Sequence, residues 1–120
     1  LTKPAEYAIE LYQGDSYDLY FRVSQRGVSG LMEYRDLTGS TVRGQIRPTK
    51  ESSTVLATFV CTLADQGVNT GGVLIHLDPA VTKALSFTTA VYDIEIEFAA
   101  TDISTVLAGP VTLLKEVTRA

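Results

Sequence analysis

The chain has 120 residues, 45% of them hydrophobic, and a formal net charge of −4 at neutral pH. This is one domain's length with ordinary apolar content, which excludes a disordered chain and leaves no room for a second core. The acidic balance argues against nucleic acid, whose affinity rests on cationic neutralisation of phosphates, and against anionic lipid.

Taken in chain order, the first predicted element is a strand from Tyr7 to Tyr12, closed by the turn formers Gln13-Gly14-Asp15. It carries one charge, Glu10, and no proline. Soluble monomers usually blunt an edge strand with charge or proline, so Tyr7, Ile9, Leu11 and Tyr12 are interface candidates. Tyr17 to Val23 alternates, with Tyr17, Leu19, Phe21 and Val23 on one face and Asp18, Tyr20 and Arg22 on the other. Gln25 to Leu37 has no strand pattern and is predicted to project as a loop bearing Tyr34. Val42 to Arg47 alternates again.

Val55 to Leu63 and Val73 to Leu77 alternate less and read as strands buried on both sides, or at least central. The turn-rich stretch from Ala64 to Gly72 predicts that they pair as a hairpin. Asp78 to Leu85 predicts a two-turn helix, with Asp78 at the N-cap, Pro79 at the first helical position, and Val81 and Leu85 on one face. Tyr92 to Phe98 is a strand with a wholly acidic second face, Asp93, Glu95 and Glu97. The tail offers Ile103 to Leu107 and Val111 to Val117 as separate strands, with Pro110 opening the second.

Short strands punctuated by turns, with one short helix, predict an all-β antiparallel sandwich over residues 1–120. Its inner faces would be Leu19, Phe21, Val23, Val42, Ile46, Phe59, Ile75, Ile94, Ile96, Phe98, Val111 and Leu113. The chain opens on Leu1, which leaves room for a longer gene product at either end.

The residues that carry chemistry are few. Cys61 is the only cysteine, so no internal disulfide forms, and an intracellular origin is expected. Its neighbours Phe59, Val60 and Leu63 predict a small buried hydrophobe with no cation to activate the thiol. His76, the only histidine, lies opposite Ile75 on a strand surface. One His and one Cys leave the usual zinc ligand set two short. Asp93, Glu95 and Glu97 stand about 7 Å apart along one strand face. Calcium and glycosidase chemistry use such acids, but a flat strand splays them and the chain has no tryptophan platform. They are expected to face Arg22, Arg43 or Arg47 on neighbouring strands. Asp15 and Asp18 flank a turn. No phosphate-binding loop is present. The reading is no enzyme, no catalytic residue, no metal and no cofactor. Tyr12, Tyr20 and Tyr34 exceed what alternation can bury, and exposed tyrosines make good interface anchors.

Four blocks together resemble a known family. Ile9-Glu10-Leu11-Tyr12-Gln13-Gly14-Asp15-Ser16-Tyr17, followed by Leu19-Tyr20-Phe21-Arg22-Val23, is similar to the start of small tailed-phage virion proteins, including the N-terminal domain family of the baseplate upper protein. Asp36-Leu37-Thr38-Gly39 leading into Val42-Arg43-Gly44-Gln45-Ile46-Arg47 resembles the next block. Tyr92-Asp93-Ile94-Glu95, then Leu107-Ala108-Gly109-Pro110-Val111-Thr112-Leu113 and Glu116-Val117-Thr118-Arg119, resemble the last two. The resemblance implies an Ig-like β-sandwich in the virion, made in the host cytoplasm. It would dock on other virion proteins of the tail, neck, baseplate or fibre-attachment region, in symmetric copies, with no nucleic acid and no membrane as partner. The baseplate protein continues into a longer C-terminal part, so a capsid decoration protein stays open beside the tail placement. A carbohydrate- or receptor-binding module is the alternative from another class, with Tyr20 and Tyr34 as ring-stacking candidates.

Overall fold

The computed structural model of the chain describes residues 4–27 and 30–117. Val28 and Ser29, inside the expected loop, and Thr118 and Arg119, in the last similar block, lie outside them. Among the described residues the strands are β1 (Ala5–Glu6), β2 (Ile9–Tyr12), β3 (Tyr17–Arg22), β4 (Ser24–Arg26), β5 (Met32–Tyr34), β6 (Thr41–Arg47), β7 (Ala57–Thr58), β8 (Val60–Leu63), β9 (Gly72–Leu77), β10 (Thr89–Ala99) and β11 (Asp102–Leu114). One helix, α1 (Pro79–Ala84), joins β9 to β10.

The strands form an all-β sandwich. The larger sheet runs β1 and β2, then β11, β10, β6 and β7, and the smaller runs β3, β9 and β8. Between them the inward phases of β2, β6, β9, β10 and β11 meet in one core, where Ile9, Leu11, Ile46, Ile75, Ile94, Ile96 and Val111 are nearly or wholly sealed from solvent. Of the predicted core, Leu19, Phe21, Val23, Val42 and Phe98 are only half-buried, and they pack against that cluster from its margins.

The sheets share a margin where one stretch of chain changes layer. Val55 to Leu63 is not the single strand expected. β7 pairs with β6, the Phe59 N–H donates to the Gly44 carbonyl at 2.9 Å, and β8 then pairs with β9. Such corners turn a strand from one sheet into the other. Gly44 makes the room, since a Cβ there would stand 2.4 Å from Ile94 Cδ1 and 3.1 Å from the Phe59 ring.

The opposite margin departs from a wholly antiparallel sandwich. β1 and β2 both run parallel to β11 and hold one register, Ala5 opposite Leu107, Glu6 opposite Ala108 and Ile9 opposite Val111. Pro110 does not open a strand but sits inside the 13-residue β11. Its ring leaves no N–H for the Tyr7 carbonyl, although the Tyr7 N–H reaches the Ala108 carbonyl at 3.0 Å. The buried Tyr92 hydroxyl donates to that carbonyl instead, at 2.7 Å. Gly109 allows the approach, because a Cβ on it would lie 2.3 Å from the Tyr7 oxygen. Burial, then Tyr17 and Tyr7 nearby, push the Tyr92 phenol upward, so it remains a donor.

Gln25 to Leu37 projects, but as a hairpin. β4 and β5 pair antiparallel with all six residues exposed, and the Gly27 N–H closes on the Leu31 carbonyl at 2.8 Å. With solvent on both faces nothing forces polar and apolar residues to alternate, which hides the strands from the sequence. At the other end α1 acts as a strap. Its fully buried Thr82 hydroxyl accepts the Gly14 N–H at 3.1 Å and donates to the Asp15 carbonyl at 2.7 Å, fixing the turn between β2 and β3.

Candidate docking surface

The register of the small sheet sets what faces outward. Asp18 stands opposite His76, Tyr20 opposite Leu74 and Arg22 opposite Gly72, while β8 sets Val60 beside His76 and Thr62 beside Leu74. Tyr20, Leu74 and Val60 are 47%, 40% and 56% exposed, so three large apolar side chains share one open face. Gly72 leaves space for Tyr20 to lie across β9, since a Cβ there would be 2.6 Å from the Tyr20 hydroxyl. β8 and β9 are thus buried on one side only, and of the two only β9 is central in its sheet.

The hairpin arm extends this face with Met32 and Tyr34, both more than half exposed. Two arginines brace its base. The Arg22 guanidinium lies 3.5 Å from the Tyr34 ring centre while its Nε donates to the Thr70 carbonyl at 3.0 Å. Arg35, one residue past β5, stacks 3.6 Å from the Phe98 ring centre and pairs with Asp102 at 3.4 Å. Cation–π contacts at exposed sites contribute about 0.5–1 kcal/mol each, enough to bias the arm toward one pose.

The far end of the face carries His76. Its Nδ1 lies 2.6 Å from Asp18 Oδ1 and its Nε2 lies 2.7 Å from Asp78 Oδ1. Carboxylates only accept, so holding both contacts at once requires a proton on each ring nitrogen. The hydrogen bond to Asp18, then that to Asp78, raise its pKa above the ordinary 6.5. A triad base needs a nucleophile on one nitrogen, and here acids hold both. Asp78 therefore stands at the N-cap of α1 without capping it through its side chain.

The outer face of the large sheet differs. Arg43 bridges Glu95 at 2.6 Å and Glu97 at 3.2 Å, as opposite charges on neighbouring strands predict. Arg22, another of the three expected partners, belongs to the small sheet and does not reach them. Arg47 bonds Gln45 at 2.8 Å. Burial, then Glu95, push the Asp93 carboxyl up, and Arg47 opposes them. A shallow groove of about 870 Å³ crosses this face between Gln45, Arg47, Asp93, Glu95 and Pro110. Glu6 and Lys50 also line it. Among the described residues no group of three His, Cys, Asp or Glu is placed to hold a metal. Cys61 is half-buried with its thiol 3.7 Å from the Phe59 carbonyl, and burial pushes its pKa up, away from thiolate chemistry.

The predicted interface residues separate. Tyr20 and Tyr34 fall on the small-sheet face, and Tyr7 and Tyr12 are exposed along the β2 margin. Ile9 and Leu11 are a correction, since at 2% and 1% exposure they are core residues and offer no side chain to a partner. Their phase is inward because β2 is laid on β11 with Val111 and Leu113 as neighbours. Leu74, Val60 and Met32 were not singled out. The first two are large apolar residues on one phase of their strands, and the pairing with β3 and β9 decides that this phase faces outward. Comparison of the chain with protein-family models and with curated proteins returns no match.

Proposed function

We propose that this chain is a structural protein of a tailed-phage virion, docking through its small-sheet face and arm onto other virion proteins. The single observation behind this reading is the apolar stripe from Met32 and Tyr34 through Tyr20 to Leu74 and Val60, on a domain whose other face carries charge, with Arg43 paired to Glu95 and Glu97. Large exposed apolar patches rimmed by polar groups are characteristic of interaction sites, and tyrosines are frequent anchors in them. The order of the four phage-like blocks supports the virion setting. Docking of this kind makes and breaks no covalent bond.

Antibody labelling of purified virions tests it. Label on the tail, neck or baseplate is the expected result. Label confined to the shell moves the protein to capsid decoration, and unlabelled particles remove the virion reading. Tyr20→Glu with Leu74→Glu is expected to leave a folded chain that no longer enters particles. Strong hits on a glycan array would favour a carbohydrate-binding module instead.

A further inference from the structure

The backbone of β3 faces two ways. The Val23 N–H bonds the Gly71 carbonyl at 2.8 Å, continuing the β3 to β9 ladder, so the peptide groups of Tyr17, Leu19, Phe21 and Val23 face β9. Those of Asp18, Tyr20 and Arg22 face away, and no other described strand pairs with that side. The arm does not close it. The Val23 carbonyl accepts the Arg35 N–H at 2.9 Å, so β5 takes over from β9 on the same side and leaves the outer edge open from Tyr17 to Arg26.

We propose that this edge pairs with the same edge of a second copy of the chain, antiparallel about a two-fold axis at Tyr20, joining two three-stranded sheets into one of six strands. The pairing deepens the docking reading by naming a partner, and rests on it only in placing the working surface on the small sheet. The sequence of β3 is self-complementary about Tyr20. An antiparallel match sets Asp18 opposite Arg22 of the second copy, Tyr20 opposite Tyr20, and Arg22 opposite Asp18. These three pairs are the hydrogen-bonded kind, with Cα atoms about 5.5 Å apart and about six N–H to carbonyl bonds in all. An isologous contact requires this reciprocity, and like charges directly opposite would oppose it. Both charges have capacity left. Asp18 gives Oδ1 to His76 and Arg22 gives Nε to Thr70, which leaves Asp18 Oδ2 and both Arg22 Nη groups without a hydrogen-bond partner among the described residues.

The inner phase of β3 agrees. Tyr17, Leu19, Phe21 and Val23 are only half-buried, whereas Val73, Ile75 and Leu77 on the next strand are sealed. A groove of about 580 Å³ runs beneath the edge, lined by Phe21 and Val23 above and Ala5 and Leu107 below. In the pairing, Leu19 meets Phe21 of the second copy and Tyr17 meets its Val23, covering apolar surface that the isolated sheet leaves open.

The test uses the full chain. Sedimentation across a concentration series should show a species at twice the 13.0 kDa chain mass. Amide exchange of Asp18, Tyr20 and Arg22 should slow as it forms, while Leu19 and Phe21 are protected at every concentration. D18R sets arginine against arginine and should weaken association about tenfold or more, and D18R/R22D, which restores opposite charges in reversed order, should recover most of it. A dimer in which those three amides stay unprotected, a charge swap that recovers nothing in a folded double variant, or a lone 13.0 kDa species at millimolar concentration overturns the pairing. A monomer that still labels virions removes the pairing and leaves docking in place. A protected dimer absent from virions does the reverse.

Discussion

The two outward faces of the sandwich solve alternation in opposite ways. On the large sheet the residues left outside include Arg43, paired with Glu95 and Glu97, Arg47, bonded to Gln45, and the exposed Asp93. On the small sheet the same phase leaves Tyr20, Leu74 and Val60 in solvent. Both faces flank one core, so folding alone does not require this difference. A charge already paired has little to offer a partner, whereas an apolar face loses water when one arrives.

The sharpest way to break that contrast lies on β9. Ile75 and Leu74 are chain neighbours pointing to opposite sides, the first wholly buried and the second 40% exposed. Ile75→Ala should destabilise the domain by about 2–5 kcal/mol, through lost burial and the cavity left behind. Leu74→Ser should change stability by no more than about 0.5 kcal/mol, the usual range for a surface site, while removing the chain from its assembly. Urea unfolding of both variants measures this, and a Leu74→Ser cost matching that of Ile75→Ala would make the face part of the core.

The next effect is at the margin of the large sheet, where Tyr92 replaces the donor that Pro110 lacks. Gly109→Ala places a methyl 2.3 Å from the Tyr7 oxygen and should cost about 1–3 kcal/mol by overpacking. Tyr92→Phe keeps the packing and loses one hydrogen bond, so about 1 kcal/mol is expected. If Tyr92→Phe left the midpoint unchanged, water would be satisfying the Tyr7 carbonyl and the hydroxyl would be incidental. The hydroxyl also reports on itself spectroscopically. Burial, with Tyr7 nearby, raises Tyr17 to about 12, and Tyr92 is raised further, so neither ring should ionise near pH 10 in an alkaline titration.

How much of this was legible follows from where each constraint lies. β3, β6 and β10 alternate because each has one wet and one dry face, and their positions were readable from that. The helix was readable from Asp78 and Pro79. Constraints set far away in sequence were not. The break at Phe59 depends on Gly44 accepting its N–H from another strand. Leu37 is fully buried although no pattern surrounds it, and its N–H is satisfied by the Gln66 side chain, 29 residues on, at 2.9 Å. Ile9 and Leu11 looked available because β2 carries little charge, but their phase was fixed by β11 at the other end of the chain. The exposed stripe was half legible. Tyr20 and Tyr34 announced themselves as surplus aromatics, while Leu74 and Val60 needed the partner strand to show which phase was outside.

A smaller effect tests whether the arm belongs to the docking face as a posed element. Tyr34→Ala removes the ring under Arg22 and should lower stability by about 0.5–1 kcal/mol at most. Its larger consequence should be in exchange, with the amides of Gln25 and Gly27 losing protection while those of Val73 and Ile75 keep theirs. An unchanged arm in that experiment would mean that the Arg35 contacts to Phe98 and Asp102 suffice to hold it.

The smallest effect should come from His76, because its ion pairs are exposed and exposed pairs contribute little. The folded chain binds the imidazole proton more tightly than the unfolded chain, since the folded pKa lies above 6.5. Any stability from the clamp is therefore complete below pH 6.5 and declines as pH rises through the folded value. Neutral imidazole keeps a single N–H and can serve only one of the two acids, so either Asp18 or Asp78 must let go. Releasing Asp78 has a compensation, because its carboxylate is then free to cap the backbone N–H groups at the start of α1. The two-dimensional NMR titration of His76 should give a pKa above 6.5, with D18N and D78N each lowering it and D18N lowering it more. A His76 that titrates at 6.5 in the unaltered chain would place both carboxylates in solvent and dissolve the link between β3, β9 and the helix.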